Sequence, residues 1–148
     1  LAGIWCYQLA SGTPAGVIPA GDNTIPLNTI VTAVDFGTLG GNAVALGEGQ
    51  YWIQGSVYVI DSAGPSSGGI QLALKNGGAD VNWQDGFINN VDEGAQITVT
   101  GCVSVASGGS ASITLQMRVN TGDQLTYGVC PTSARAERPA SLTILKLA

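Results

Sequence analysis

The stretch that decides the fold is GQYWIQGSVYVI, Gly49 to Ile60. Side chains alternate between two faces along a strand. Tyr51, Ile53, Gly55, Val57 and Val59 therefore share one face. Gln50, Trp52, Gln54, Ser56, Tyr58 and Ile60 share the other. The first set suits a core. The second carries Trp52, Tyr58 and Ile60, which is too apolar for a face that meets only water. The C-terminal SLTILKLA has the same property: Leu142 and Ile144 point one way, Leu145 and Leu147 the other. In a two-layer sandwich only one face of a strand has a partner layer. A contiguous apolar patch on the second face needs cover. A second copy of the chain is the expected cover, with a loop or a ligand as the alternatives.

The rest of the chain follows the same period. No long segment keeps a helical apolar stripe. Strand signals recur about every ten to fifteen residues between Gly, Pro, Asn, Asp and Ser clusters. They place strands near 3–9, 28–36, 43–46, 50–60, 69–76, 96–106, 111–120, 124–129 and 141–147. The intervening turns include GTPAG, GTLGGN, DSAGPSSGG, KNGG, ASGGSAS, NTGD and PTSARAERP, rich in residues that preset a turn or tolerate positive φ. In QITVTGCVSV, Ile97, Val99, Val103 and Val105 oppose Thr98, Thr100, Cys102 and Ser104. In ASITLQMRV, Ile113, Leu115, Met117 and Val119 oppose Ser112, Thr114, Gln116 and Arg118. These patterns predict half-buried antiparallel strands in an all-β sandwich or jelly roll. The outer faces are Thr, Ser and Gln rather than Lys and Glu, which is cheap to desolvate and suits protein contacts.

Composition narrows the function. The 148 residues fit one domain over 1–148. The chain starts with Leu rather than Met and shows no basic leader, so it is expected to be the C-terminal head of a longer or processed protein. Charged residues are 10 % and apolar residues 45 %, which argues against disorder. A net charge of −5 with five basic residues disfavours nucleic acid and anionic membrane surfaces as partners. The uncharged run Gly94 to Met117 invites a transmembrane reading, but its Thr, Ser, Gln and Gly alternate with Ile and Val, so no membrane insertion is expected.

Catalytic chemistry has little to stand on. There is no histidine, which removes Ser-His-Asp and Cys-His triads and His-ligated zinc. The ten acidic residues are scattered through turns, where capping and solubility explain them better than paired-carboxylate glycoside cleavage. Cys6, Cys102 and Cys130 match no metal or redox spacing. They read as small half-buried strand residues, with a Cys102–Cys130 or Cys6–Cys130 bridge as the alternative. No catalytic residue, no metal and no cofactor is expected.

Two segments carry candidate contacts. NGGADVNWQDGFINNVDEGA reads as the richest loop. Trp83 and Phe87 sit beside Asp85 among Asn and Asp, as in a sugar- or protein-binding patch. The alternative is that both aromatics close the edge of the core beneath that loop. Asp80, Asn82, Asp85, Asn89, Asn90, Asp92 and Glu93 offer oxygen ligands, so calcium is the alternative to no cofactor, though the spacing is not that of an EF-hand. The second segment, ARAER, holds Arg135, Glu137 and Arg138. It reads as a solvated loop, or else as a contact for an acidic glycan or for intersubunit ion pairs.

The order EGQYWIQGSVYV, IQLALKNGG, QITVTGCVSV, SITLQMRVNTGDQLTYG, PASLTILKLA resembles the tumour-necrosis-factor and complement globular-head superfamily. Within it, the pattern is similar to head domains of bacteriophage fibres and spikes. The resemblance covers residues 28–148, and the strand around Ile4 to Leu9 fits as well. It implies a ten-stranded antiparallel jelly roll that forms a homotrimer, with Tyr51, Ile53, Val57 and Val59 in the core. It implies subunit contacts at Trp52 and Tyr58, to which the two-faced C-terminal strand adds Leu145 and Leu147. It implies no enzyme. The expected function is a non-enzymatic virion surface protein, a trimeric fibre or spike head or a capsid decoration module. Its partners would be itself, a host-cell receptor or glycan, or capsid proteins. The alternatives are a cellular trimeric adhesin or surface ligand of the same fold, and a monomeric lectin-like jelly roll.

Overall fold

The computed structural model describes residues 2–10, 16–61, 68–88, 94–120, 125–128 and 137–148. They form twelve strands: β1 (Ala2–Leu9), β2 (Gly21–Thr24), β3 (Thr29–Thr32), β4 (Gly37–Gly40), β5 (Ala43–Leu46), β6 (Gly49–Asp61), β7 (Gly68–Asn76), β8 (Ala79–Ile88), β9 (Gly94–Val105), β10 (Ala111–Val119), β11 (Leu125–Tyr127) and β12 (Glu137–Lys146). Every ladder is antiparallel.

The strands divide into two six-stranded sheets. In the first, β12 lies along one edge of β6 and β9 along the other. β11 continues beyond β12 on the same edge, opposite Val59 to Asp61. β1 then pairs with β12, and β3 with β1. In the second sheet the order is β4-β5-β10-β7-β8, with β2 beside the far end of β10. The resemblance implied ten strands, and the described residues form twelve.

The two-residue hairpins are legible in the sequence. Gly41 and Asn42 join β4 to β5 with φ of 59° and 66°. Gly77 and Gly78 join β7 to β8 with φ of 58° and 88°. Positive φ at both central positions is the I′ geometry that matches strand twist, and it selects Gly and Asn.

The core lies between the sheets. Tyr51, Ile53, Val57 and Val59 of β6 are buried, as are Leu142 and Ile144 of β12 and Ile113, Leu115 and Met117 of β10. Burying one such side chain contributes roughly 1.5–3 kcal/mol. Gly55 faces the same core, where a Cβ would overlap Leu115 Cδ2, so the Leu115 side chain occupies the room that Gly55 leaves.

Several expectations need correction. Within the segment expected as a rich loop, Ala79–Ile88 is an edge strand, β8. Its alternation was masked because only one of its faces meets anything apolar. Gly86 and Val81 point inward, and a Cβ at Gly86 would lie 2.6 Å from Ile97 Cγ1. Asn82 Nδ2 donates to the Thr100 carbonyl at 2.7 Å, joining the edge of the second sheet to β9 of the first. The expected strand 28–36 ends at Thr32, and the turn text GTLGGN contains the four residues of β4. The strand expected over 124–129 is Leu125–Tyr127.

Candidate functional site

The two sheets present two outward faces, and each carries part of the expected contact set. On the first sheet, register places Leu145 directly opposite Trp52, with Cys102 opposite Trp52 on the other side and Ala2 beyond Leu145. The next row outward from the centre is Thr143, Gln54 and Thr100, with Ile4 alongside. Ser56 and Ser141 follow, sharing a hydrogen bond of 3.0 Å. The C-terminal tail adds Leu147, whose N–H donates to Gln50 O at 2.7 Å. Trp52 and Leu145 are half-buried, and Leu147 is 57 % exposed.

Tyr58 lies at the far end of this face and is 40 % exposed. It is held flat. A Cβ at Gly128 would overlap its ring, and a Cβ at Gly94 would overlap its hydroxyl. Two glycines thus form a seat for an aromatic side chain that stays open to solvent on its outer side. Trp52, Tyr58, Leu145 and Leu147 share one face because β6 and β12 are adjacent, and no single strand could have placed all four.

On the second sheet, Trp83, Asp85 and Phe87 of β8 point outward, opposite Ala73, Gln71 and Gly69 of β7. Trp83 is 55 % exposed and Phe87 71 % exposed. They do not close the edge of the core; an extended edge strand turns them to the outside. Gln71 Nε2 donates to Asp85 Oδ1 at 3.1 Å. Across β7, Arg118 of β10 stands opposite Gln71 and Asp22 of β2 stands opposite Arg118. Arg118 Nε and Nη2 donate to the two Asp22 oxygens at 2.7 and 3.0 Å. That fork holds the Asp22 carboxyl below its usual range and raises the guanidinium. Phe87, Asp85, Gln71, Gly69, Arg118 and Asn120 line a pocket of about 260 Å³. Sequence reasoning missed Gln71, Arg118 and Asn120. Nothing local marks them, since Asp22 and Arg118 meet from 96 positions apart.

The remaining expectations scatter. Arg138 is the second residue of β12, where its Nε donates to Gln8 Oε1 at 3.1 Å, so it belongs to the first sheet and not to the pocket. Arg135 lies outside the described residues. Of the calcium set, Asp80 pairs with Lys75 at 2.8 Å, Asn82 Oδ1 accepts from the Trp83 N–H at 3.0 Å, and Asp85 accepts from Gln71. Asn89, Asn90, Asp92 and Glu93 lie outside the described residues. Cys6 is a buried free thiol and Cys102 an exposed one, in keeping with the reading of small strand residues; Cys130, common to both alternative bridges, lies outside the described residues. Burial pushes the Cys6 thiol up, against the opposing pull of Arg138. Among the described residues no helix is long and apolar enough to cross a membrane.

Two antiparallel sheets packed face to face, with the N- and C-terminal strands β1 and β12 paired side by side, form a TNF-like jelly roll, and this chain has that fold. The crystal structure of murine APRIL at pH 8.5 superposes with a TM-score of 0.57 at 12 % identity, covering 99 % of this chain and 100 % of that one. Eiger, a TNF of S. frugiperda, gives 0.55 at 12 % identity, covering 100 % and 92 %. Murine APRIL at pH 5.0 gives 0.54 at 14 % identity, covering 99 % and 100 %. No family model and no curated protein sequence matches the chain.

Proposed function

We propose that this chain is a non-enzymatic surface head that assembles as a homotrimer and recognises a receptor, with the surface of a virion as its extracellular setting. In that setting it serves as a bacteriophage fibre or spike head, or as a capsid decoration module. The observation that carries the trimer is the outward face of the first sheet, where Leu145, Trp52 and Cys102 stand in one row beside Leu147. Such a row on the face away from the core is the surface a second copy would cover. The TNF-like fold supports the same assembly. The sequence supports a role without catalysis, because it offers no histidine for acid–base or nucleophilic work.

A second reading has its own support. The likeness to murine APRIL and to Eiger supports a cellular trimeric surface ligand or adhesin of the same fold as that second reading. Light scattering on the eluting protein tests the assembly: a particle of three times 14.9 kDa is expected. A monomeric mass would sink the trimer and leave the lectin-like reading. Binding to isolated capsids or host cells, compared with binding to animal-cell surfaces, then separates the two settings.

A further inference from the structure

We propose that the pocket on the outward face of the second sheet binds a single neutral pyranose unit of a surface glycan. The proposal deepens the receptor-recognition reading and rests on it. Four features point to this ligand class.

The first is the floor. Gly69 has no side chain, and a Cβ there would lie 2.9 Å from Asn120 Nδ2 and 3.8 Å from Phe87 Cε1. The missing atom opens a depression on a face that would otherwise be a level pleat. Its volume of about 260 Å³ falls below the roughly 300–1,000 Å³ of pockets for drug-sized ligands. One sugar ring fits that size.

The second is the wall. Phe87 holds an aromatic ring in water on an edge strand, where it adds little to the core. An exposed ring face beside polar groups suits the apolar C–H face of a pyranose. Trp83 lies four residues along the same face of β8, about 13 Å away at strand rise. It is placed to meet a further unit of the same chain of sugars.

The third is the polar rim. Asp85 supplies a carboxylate, and Gln71 and Asn120 supply amides that both donate and accept. Vicinal hydroxyls need paired groups of that kind. The Gln71–Asp85 contact fixes two of these groups, and the Arg118–Asp22 contact fixes the guanidinium beside them, before a ligand arrives, which lowers the ordering penalty on binding.

The fourth is charge. Arg118 is matched by Asp22, and Asp85 adds a negative charge on the rim. Sialylated and phosphorylated sugars would meet that carboxylate, and neutral ones would not be repelled.

Saturation-transfer NMR on the whole chain tests the proposal, with methyl glycosides of the neutral hexoses and N-acetylhexosamines as probes and sialyllactose as the anionic control. At least one neutral glycoside should bind with a Kd of about 1 mM, usual for one small ligand in a shallow site. Phe87→Ala and Asp85→Ala should each weaken it by at least about tenfold, and Phe87→Tyr should keep it within about twofold. No transfer to any neutral glycoside, transfer to sialyllactose alone, or full binding by Phe87→Ala would each overturn the assignment. If the trimer still bound its target surface after Phe87→Ala, receptor recognition would stand and this pocket would fall. Neutral glycan binding by a particle that ignores every host surface would support the pocket and remove the receptor reading.

Discussion

The ring of Tyr58 rests on the backbone of Gly128, which in turn donates its N–H to Tyr58 O at 2.8 Å. The side chain is thereby locked onto the outside of the first sheet instead of swinging in solvent. Gly128→Ala should cost about 1–3 kcal/mol by overpacking. In a Tyr58→Ala background the same change should cost under about 0.5 kcal/mol, because the clash is gone. Urea unfolding of the four proteins at one fixed concentration measures the cycle. Equal costs in both backgrounds would show that the ring does not sit there.

Trp52→Glu places a charge at the centre of the Leu145–Trp52–Cys102 row. The expected outcome is loss of the trimer, with a mass of one chain by light scattering and an unchanged β signal by circular dichroism. A variant that keeps the trimeric mass would move the interface elsewhere.

Cys102 reports on the same face without perturbing it. In a Cys130→Ser background, a maleimide should modify Cys102 at least about tenfold more slowly in the assembled protein than in Trp52→Glu, since the thiolate needs access to react. Cys6, buried and with its thiol pushed up, should stay unmodified in both. Equal rates for Cys102 in the two proteins would contradict the covered face.

Tyr127 should make the fold sensitive to alkali. Its phenol is pushed up to about 12, first by burial and then by Tyr7, whose ring centroid lies 5.0 Å away. A raised acid binds its proton more tightly in the folded state. The stability it supports is complete below the unfolded value near 10 and is lost as pH rises through about 12. The loss over that window should be on the order of 2 kcal/mol. Denaturant titrations at stepped pH should show a shallower decline for Tyr127→Phe. Parallel curves would refute the coupling.

Gly55→Ala should destabilise the fold by about 1–3 kcal/mol, because its Cβ would overlap Leu115. Leu115→Val in the same chain should recover part of that loss by withdrawing the δ-methyls. Thermal midpoints of the two single variants and the pair decide it, and strictly additive losses would rule out the contact.

How much of this was legible depends on whether a feature was local. Period two in Gly49–Ile60 marked Tyr51, Ile53, Val57 and Val59 as core, and all four are buried. KNGG and GTLGGN announced their hairpins, because positive φ selects Gly and Asn. β8 was not legible. An edge strand has one neighbour in its sheet, and most of its side chains remain in water, so ADVNWQDGFI alternates too weakly to distinguish from a loop. β2 and β4 are four residues long and escaped for want of a pattern to repeat.

The sequence by itself determined the class of fold, the inner and outer faces of the long strands, and the lack of histidine chemistry. Each of these follows from residue type and local spacing. Tertiary structure alone decided which outward residues meet. Leu145 reaches Trp52, and Arg118 reaches Asp22 beside Gln71, only through pairing between strands far apart in the chain. The register that sets those neighbours comes from core packing, and packing is a property of the folded whole.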